Sequence, residues 1–145
     1  METSKKVEVA SAASGMLAAG TSALYLSLTG DGVGPEIAPF ALPVVTGLFG
    51  LHKANEIQEE ENSLHKKVKY SDKSEILKEV YKSGTFFSAA IGLSIGLSTI
   101  TGFLTDSYNL EQILVSSSTA AAYGLSSYGL YNIYKHEYPS DREEL

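Results

Sequence analysis

The chain has 145 residues, a formal net charge of -6 at pH 7 and no cysteine. The lack of cysteine excludes a disulfide framework, a thiolate metal site and redox chemistry at sulfur. The negative charge argues against indiscriminate binding to nucleic acid, and the length is typical of one domain.

Charged residues are absent from four long segments of an otherwise densely charged sequence. These segments are 9–30, 37–51, 83–105 and 112–134. A helix of about 20 residues rises about 30 Å, the thickness of the hydrocarbon core of a bilayer, so three segments are long enough to span one. The second reaches that length only with its flanking residues. The pattern predicts an all-α fold of four apolar helices, transmembrane or packed in another hydrophobic assembly.

The first segment lacks the short apolar core and cleavage site of a signal peptide, so we expect it to stay in the mature protein. Gly34-Pro35-Glu36 then predict a helix start, because proline suits the first helical position. Pro39 and Pro43 fall inside the second helix. Pro43 removes an intrahelical hydrogen bond and is expected to kink the helix, and a tolerated kink is favoured over a gating hinge.

A charged connector follows the second helix. Glu61 and His65 are spaced i, i+4 and could share a metal, but no further ligand completes the set, so a solvated polar face is favoured. Lys66, Lys67 and Lys69 form the basic cluster that could contact phosphate, in lipid headgroups or nucleic acid. Acidic residues just before the cluster weaken its positive electrostatic potential. A connector that simply faces solvent is therefore favoured over a phosphate-binding one.

Helix-start signals recur in the second half of the chain. Asp72 with Glu75 predicts the start of the third helix, which runs to about residue 104. Asn109 followed by Gln112 resembles an N-cap with a capping box. The last helix is expected to end at Tyr138.

The two halves of the sequence resemble each other at an offset of 77 residues. The matched residues are Ser11 with Ser88, Gly15 with Gly92 and Ala19 with Gly96. We therefore predict two tandem-repeated helical hairpins. The domains are a first hairpin at 1–55, a partly helical charged connector at 56–80, a second hairpin at 81–138 and an acidic tail at 139–145.

Small residues recur at every fourth position of the first and third helices and are the predicted helix-packing residues. They are Ser11, Gly15, Ala19 and Ala23, and Gly84, Ser88, Gly92 and Gly96. Such an edge lets two helix backbones approach closely. A bulky ridge is predicted beside it on the third helix, at Phe87, Ile91, Ile95, Thr99 and Phe103. Packing within one bundle and packing between copies are equally compatible with this pattern.

All Lys and Arg residues lie in the N-terminus, the connector and the C-terminal tail. If the helices span a membrane, the positive-inside rule places both termini in the cytoplasm. The apolar segments are also rich in Ser, Thr, Gly and Ala, and the mean hydropathy of the chain is only -0.01. Such helices are better suited to contact protein than acyl chains.

The sequence contains no phosphate-binding loop, no nucleophile elbow and no zinc-protease motif. Its serines lack a neighbouring base, and three scattered histidines give little from which to build an acid–base pair. We therefore expect no enzyme activity, no cofactor and no metal.

The paired Gly-rich hairpins resemble the proteolipid ring subunit of rotary ATPases in length, duplication and helix count. That family needs a carboxylate near mid-helix, whereas Glu36 and Glu111 lie at turns, so this assignment is rejected. The short, Cys-free, Lys- and Tyr-rich chain also resembles the coat proteins of spindle-shaped archaeal viruses. This resemblance implies helical subunits packed into a shell or tail around DNA, with the basic connector as the candidate for facing DNA.

The predicted function is a non-enzymatic structural protein that self-assembles through small-residue helix faces, as a viral coat or a membrane scaffold. Its expected partner is another copy of itself, with lipid as a further candidate and nucleic acid only through the connector. The predicted location is an integral membrane position or a virion. The alternative is a small channel, holin or carrier with residues 116–119 and 126–127 lining a pore and Pro43 as its hinge.

Overall fold

The structure, a computed structural model, describes residues 2–29, 38–62 and 75–138. These residues form four α-helices and no strand. In chain order the helices are α1 (Thr3–Thr29), α2 (Ala38–Asn62), α3 (Glu75–Leu104) and α4 (Leu110–Glu137). The prediction of an all-α fold with four helices is confirmed.

Several predicted features lie outside the described residues. These are the helix start at Gly34-Pro35-Glu36, the signal at Asp72, His65, the basic cluster Lys66, Lys67 and Lys69, and the tail 139–145. The described helices enter the predicted connector from both sides, since α2 runs to Asn62 and α3 begins at Glu75.

The start of α4 is fixed by its own first residues. The Asn109 side chain accepts a hydrogen bond from the Gln112 backbone N–H at 2.8 Å. The Gln112 side chain accepts one from the Asn109 backbone N–H at 2.9 Å. This reciprocal pair satisfies two backbone donors that a helix start leaves free, and it confirms the predicted capping box. The helix ends next to Tyr138, as predicted.

A tight turn joins α3 to α4. Asp106 has a φ of 59°, a left-handed conformation that Asp tolerates better than most residues. The Ser107 N–H donates to the Gly102 carbonyl at 2.9 Å, and the Asp106 N–H donates to the Phe103 carbonyl at 3.3 Å. A Cβ on Gly102 would lie 2.5 Å from the Tyr108 ring, so glycine is required for this turn to fold back on the helix.

The helices pack unequally. α1 packs extensively against both α2 and α4, and α4 packs extensively against both α1 and α3. The contact between α2 and α4 is smaller. α3 therefore lies at the edge of the fold and packs chiefly against α4.

The buried residues of α1 and α2 alternate at spacings of three and four residues. On α1 they include Ser4, Val7, Ser11, Ser14, Ala18 and Thr21, and on α2 Phe40, Pro43, Gly47, Gly50, Ala54 and Ile57. This spacing averages 3.5 residues and keeps one seam facing a neighbouring helix along its whole length. Most of these side chains are small, so the two backbones lie close together.

Larger buried side chains concentrate at the end of the fold that holds the start of α1 and the end of α4. This cluster consists of Val7, Ala54, Ile57, Tyr81, Ile133, Tyr134 and Tyr138. All four helices contribute to it. Hydrophobic burial by large side chains therefore ties the helices together mainly at this end.

Candidate functional site

α1 and α2 cross where glycines of α2 approach Ser11 and Gly15 of α1. A Cβ on Gly47 would lie 2.7 Å from the Ser11 carbonyl oxygen and 3.2 Å from the Gly15 Cα. Both neighbours are backbone atoms, which cannot rotate away. A Cβ on Gly50 would lie 2.8 Å from the Ser11 Cβ, so Gly47 and Gly50 together permit this helix crossing, and sequence reasoning singled out neither.

A similar crossing joins α3 to α4. A Cβ on Gly92 would lie 3.3 Å from the Ala120 carbonyl oxygen and 3.4 Å from the Gly124 backbone nitrogen. A Cβ on Gly84 would lie 3.2 Å from the Leu130 side chain. Small residues again allow two helix backbones to approach closely.

The two crossings use glycines at corresponding positions. Gly15 and Gly92 are 77 residues apart, and so are Gly47 and Gly124. Gly15 meets Gly47 in the first crossing, and Gly92 meets Gly124 in the second. The offset found in the sequence thus also relates the contacts of the two helix pairs.

The predicted every-fourth-residue row of α1 does not stay on a single face. Ser11 is buried and Gly15 partly buried, but Ala19 and Ala23 are exposed. On α3, the remaining predicted packing residues are all partly buried: Gly84, Ser88, Gly92 and Gly96. No atom lies within 4 Å of a Cβ built on Gly96. A row of every fourth residue turns about 40° around an α-helix at each step, so it leaves the contact face after two or three members.

The same geometry corrects the predicted bulky ridge on α3. Thr99 is buried against α4, whereas Phe87 and Phe103 are each 65% exposed. The ridge residues therefore point in different directions. The row that faces α4 instead alternates three and four residues, through Thr85, Ser88, Gly92, Ile95 and Thr99.

Hydroxyl groups hold α3 and α4 together. The hydroxyls of Thr99 and Ser116 are hydrogen bonded at 2.7 Å. The Ser127 hydroxyl donates to the Thr85 backbone carbonyl at 2.8 Å. These bonds use two of the side chains that the channel hypothesis assigned to a pore lining.

A proline and a tyrosine join α2 to α4. Pro43 has no N–H, so it cannot bond the carbonyl of Pro39 four residues earlier. The Tyr123 hydroxyl of α4 donates to that carbonyl at 2.5 Å. Pro39 itself lies in the first turn of α2, where a missing N–H costs nothing.

We expect Tyr123→Phe to lower the free energy of unfolding by about 1–3 kcal/mol, because it leaves the Pro39 carbonyl without its donor. The effect should shrink in a Pro43→Ala background, where residue 43 regains an N–H and can bond the same carbonyl. Denaturant unfolding of the four proteins in mild detergent measures the coupling. Equal losses in both backgrounds would disprove this role of Tyr123.

An ion pair lies at the end of the fold that holds the large-residue cluster. The Lys53 ammonium is 3.0 Å from a Glu56 carboxylate oxygen and 3.8 Å from a Glu137 carboxylate oxygen. The Glu137 side chain is only 5% exposed and that of Lys53 16%. Burial lowers the pKa of Lys53, but the hydrogen bond to Glu56 and the charge of Glu137 outweigh it, so the pKa is raised overall. Lys53 is therefore charged at neutral pH, and its contact with Glu137 connects α2 to α4.

Among residues 2–29, 38–62 and 75–138, no group of three or more metal-ligating side chains occurs.

A cation–π contact lies near the end of α4. The Lys135 ammonium is 5.0 Å from the centre of the Tyr131 ring. It lies at the surface of the last turns of α4.

No known family model, curated protein or solved structure matches the chain. The resemblance to viral coat proteins therefore stays a prediction. The exposure of large apolar side chains on the surface is instead the basis for inferring the function.

The outer surface is formed by large apolar side chains. On α3 alone the exposed ones are Ile76, Leu77, Val80, Phe86, Phe87, Leu93, Leu97, Ile100, Phe103 and Leu104. Further examples lie on the other helices, among them Met16, Leu42, Val45 and Leu48. The seams between helices hold mostly Ser, Thr, Gly and Ala, and the large buried side chains lie mainly in the cluster at one end, so many large apolar residues lie outside.

Two helices are long and apolar enough to cross a membrane: residues Thr3–Ser27 of α1 and Ile76–Leu104 of α3. This finding rests on length and composition alone. Core helices of soluble proteins can meet the same criteria, but those are mostly buried, whereas the α3 segment is mostly exposed.

Proposed function

We propose that this chain is a non-enzymatic structural protein that self-assembles through its exposed apolar helix faces, as a viral coat subunit or a membrane scaffold. The observation that carries the proposal is the outward placement of large apolar side chains over an interior of small residues. A water-soluble helical bundle has the opposite arrangement. Such an apolar surface requires a nonpolar covering, supplied by identical subunits or by lipid.

The energy of the exposed surface supports this proposal. Burying a Leu, Ile or Phe side chain is worth about 1.5–3 kcal/mol relative to leaving it in water. Exposed apolar side chains lie along the whole length of α3, and exposed apolar surface of this kind marks interaction sites. A single chain in water would not gain the free energy of burying these side chains.

The surfaces proposed for assembly differ from those predicted from the sequence. Ser11, Gly15 and Gly92 lie at contacts between helices of one chain. They are therefore occupied, and the large apolar faces of α2 and α3 are the surfaces left for another copy. Ala19 and Ala23 remain exposed, so contacts between copies through them stay a prediction.

The alternative of a channel or carrier has less support. A pore would need several hydroxyls of α4 to face water; Ser117 is exposed, but Ser116 and Ser127 bond to α3. Thr119 donates to the Val115 carbonyl of its own helix at 2.7 Å. The proposed location is a membrane, with both termini on the cytoplasmic side, or a virion.

An acidic residue on the outer face of α3 tests the proposal. In detergent-free buffer, we expect wild-type protein to sediment as large assemblies and Leu93→Asp to give small particles. Placing Asp in a nonpolar environment costs about 2.5–3.5 kcal/mol, whereas the same change on a water-exposed surface costs almost nothing.

Gln58→Asp is the control, because Gln58 is exposed at the charged end of α2, away from the apolar side chains of α3. It should sediment like the wild type. Assemblies of unchanged size for Leu93→Asp would show that this face meets water, and the proposed function would be wrong.

A further inference from the structure

The contact between the two helix pairs gives a template for a contact between copies. A Cβ on Gly129 of α4 would lie 3.7 Å from the Ala10 Cβ and 3.6 Å from the Ser11 hydroxyl oxygen of α1. In this junction, α4, the second helix of the α3–α4 pair, packs on α1, the first helix of the α1–α2 pair. It also touches α2, through the Tyr123 and Glu137 contacts described above.

One face of α4 is buried at spacings of three, four and three residues around this junction. Its residues are Thr119, Ala122, Ser126 and Gly129. At the offset of 77 residues, their counterparts on α2 are Leu42, Val45, Phe49 and His52. All four counterparts are exposed. The face of α2 that corresponds to the buried face of α4 is therefore largely exposed, although the Phe49 ring packs against Tyr81 of α3.

The other half of the junction has an exposed counterpart too. Ala10 of α1 corresponds to Phe87 of α3 at the same offset, and Phe87 lies on the exposed apolar face. Both halves of the internal junction are thus repeated on the surface, one on α2 and one on α3. The residues change from small to large, so a junction between these faces would have a wider helix spacing.

Within one chain, α4 packs against both α2 and α3, whereas α2 and α3 share few contacts with each other. The Tyr123 hydroxyl binds α4 to the start of α2, and the Glu137 carboxylate binds it near Lys53, further along the same helix. The contact described between α2 and α3 is the ring pair of Phe49 and Tyr81, with centroids 6.0 Å apart. A second copy can approach each face from outside.

We infer that α3 of one copy packs on α2 of the next copy and repeats the internal contact between α1 and α4. This inference rests on the proposed function and names its partner, a second copy of the same chain. The contact joins two different surfaces, so it is head-to-tail and can propagate into a filament, tube or ring. Each added copy buries one α2 face and one α3 face.

Cysteine cross-linking tests this geometry, because the chain contains no cysteine of its own. The internal pair Ala10–Gly129 predicts the pair His52 and Phe87 between copies. We would mix His52→Cys protein with Phe87→Cys protein and add a short bifunctional thiol reagent, which tolerates the wider spacing. A cross-linked dimer that contains one of each variant is expected. The double variant should give a ladder of dimers, trimers and longer species.

Met16→Cys replaces His52→Cys in the control mixture, because Met16 is exposed on α1 outside the proposed contact. That mixture should give no such dimer. Equal cross-linking in both mixtures, dimers of His52→Cys alone, or only an internal cross-link in the double variant would overturn the head-to-tail contact.

Sedimentation of the same samples before cross-linking separates this inference from the proposed function. Large assemblies without the expected cross-link would leave self-assembly standing and reject the contact of α3 with α2. Particles of single-chain size would reject both.

Discussion

Gly47→Ala is expected to lower the free energy of unfolding by about 1–3 kcal/mol, although alanine is a better helix former than glycine. The added Cβ would lie 2.7 Å from the Ser11 carbonyl oxygen and 3.2 Å from the Gly15 Cα. Both are backbone atoms, so α1 and α2 must separate and lose packing along their seam. Denaturant unfolding in mild detergent, followed by the helical circular dichroism signal, measures the loss.

Gly20→Ala is the matched control, since no atom lies within 4 Å of a Cβ built on Gly20. It should stabilise the protein by about 0.5–1 kcal/mol through helix propensity alone. If Gly47→Ala were also stabilising, the two helices would not cross at Gly47.

Lys53→Met is expected to lower the free energy of unfolding by about 3 kcal/mol, because it leaves the buried Glu137 carboxylate without this cation. The Glu137 side chain is only 5% exposed, so water screens its charge weakly. The raised pKa of Lys53 keeps its contribution present at neutral pH. That contribution is lost only as the pH rises above the ordinary lysine value of about 10.4 and through the raised value.

The double variant Lys53→Met/Glu137→Leu provides the control for the second prediction. The double variant also removes the buried carboxylate and leaves only Glu56, whose side chain is 46% exposed and reaches water, so most of the stability lost in Lys53→Met should return. Thermal and denaturant midpoints of the two variants and the wild type make the comparison. A double variant less stable than Lys53→Met would show that the carboxylate does not depend on this lysine.

The elements of the fold could be predicted because their signals are local. The charge-free segments correspond to helices, and Asn109 with Gln112 forms the cap that their spacing indicates. The start of α3 at Glu75 and the end of α4 beside Tyr138 follow from the same kind of signal.

The packing faces were predicted less well, for a geometric reason. Reading every fourth residue led to Ala19 and Ala23, which are exposed, and missed Gly47 and Gly50 on α2. Those glycines could have been found from the alternating three- and four-residue spacing of Pro43, Gly47, Gly50 and Ala54, which Phe40 and Ile57 continue at either end. A seam of 3.5 residues per turn, rather than 4, follows one face of a helix.

The contacts between α2 and α4 have no local signal. Pro43 shows that a carbonyl four residues earlier needs another donor, but nothing near it in the sequence points to Tyr123. Lys53 and Glu137 are separated by more than half of the chain, and many other acids compete for the same lysine. Such pairings follow from the arrangement of helices in space.

The outward position of the large apolar side chains also required the structure. The sequence shows Phe86, Leu93 and Leu97 on an apolar helix, but an apolar helix can be a buried core element or a surface that meets a nonpolar partner. The structure places these residues on the outside. This placement makes self-assembly the central proposal.

Negative-stain imaging of the full-length protein, purified with and without mild detergent and viewed side by side, tests that proposal most directly. We predict long regular tubes or shells in the detergent-free sample and small particles where detergent covers the apolar faces. Small discrete particles that appear only in detergent, with no regular assembly without it, would contradict self-assembly and favour an ordinary membrane protein such as a channel.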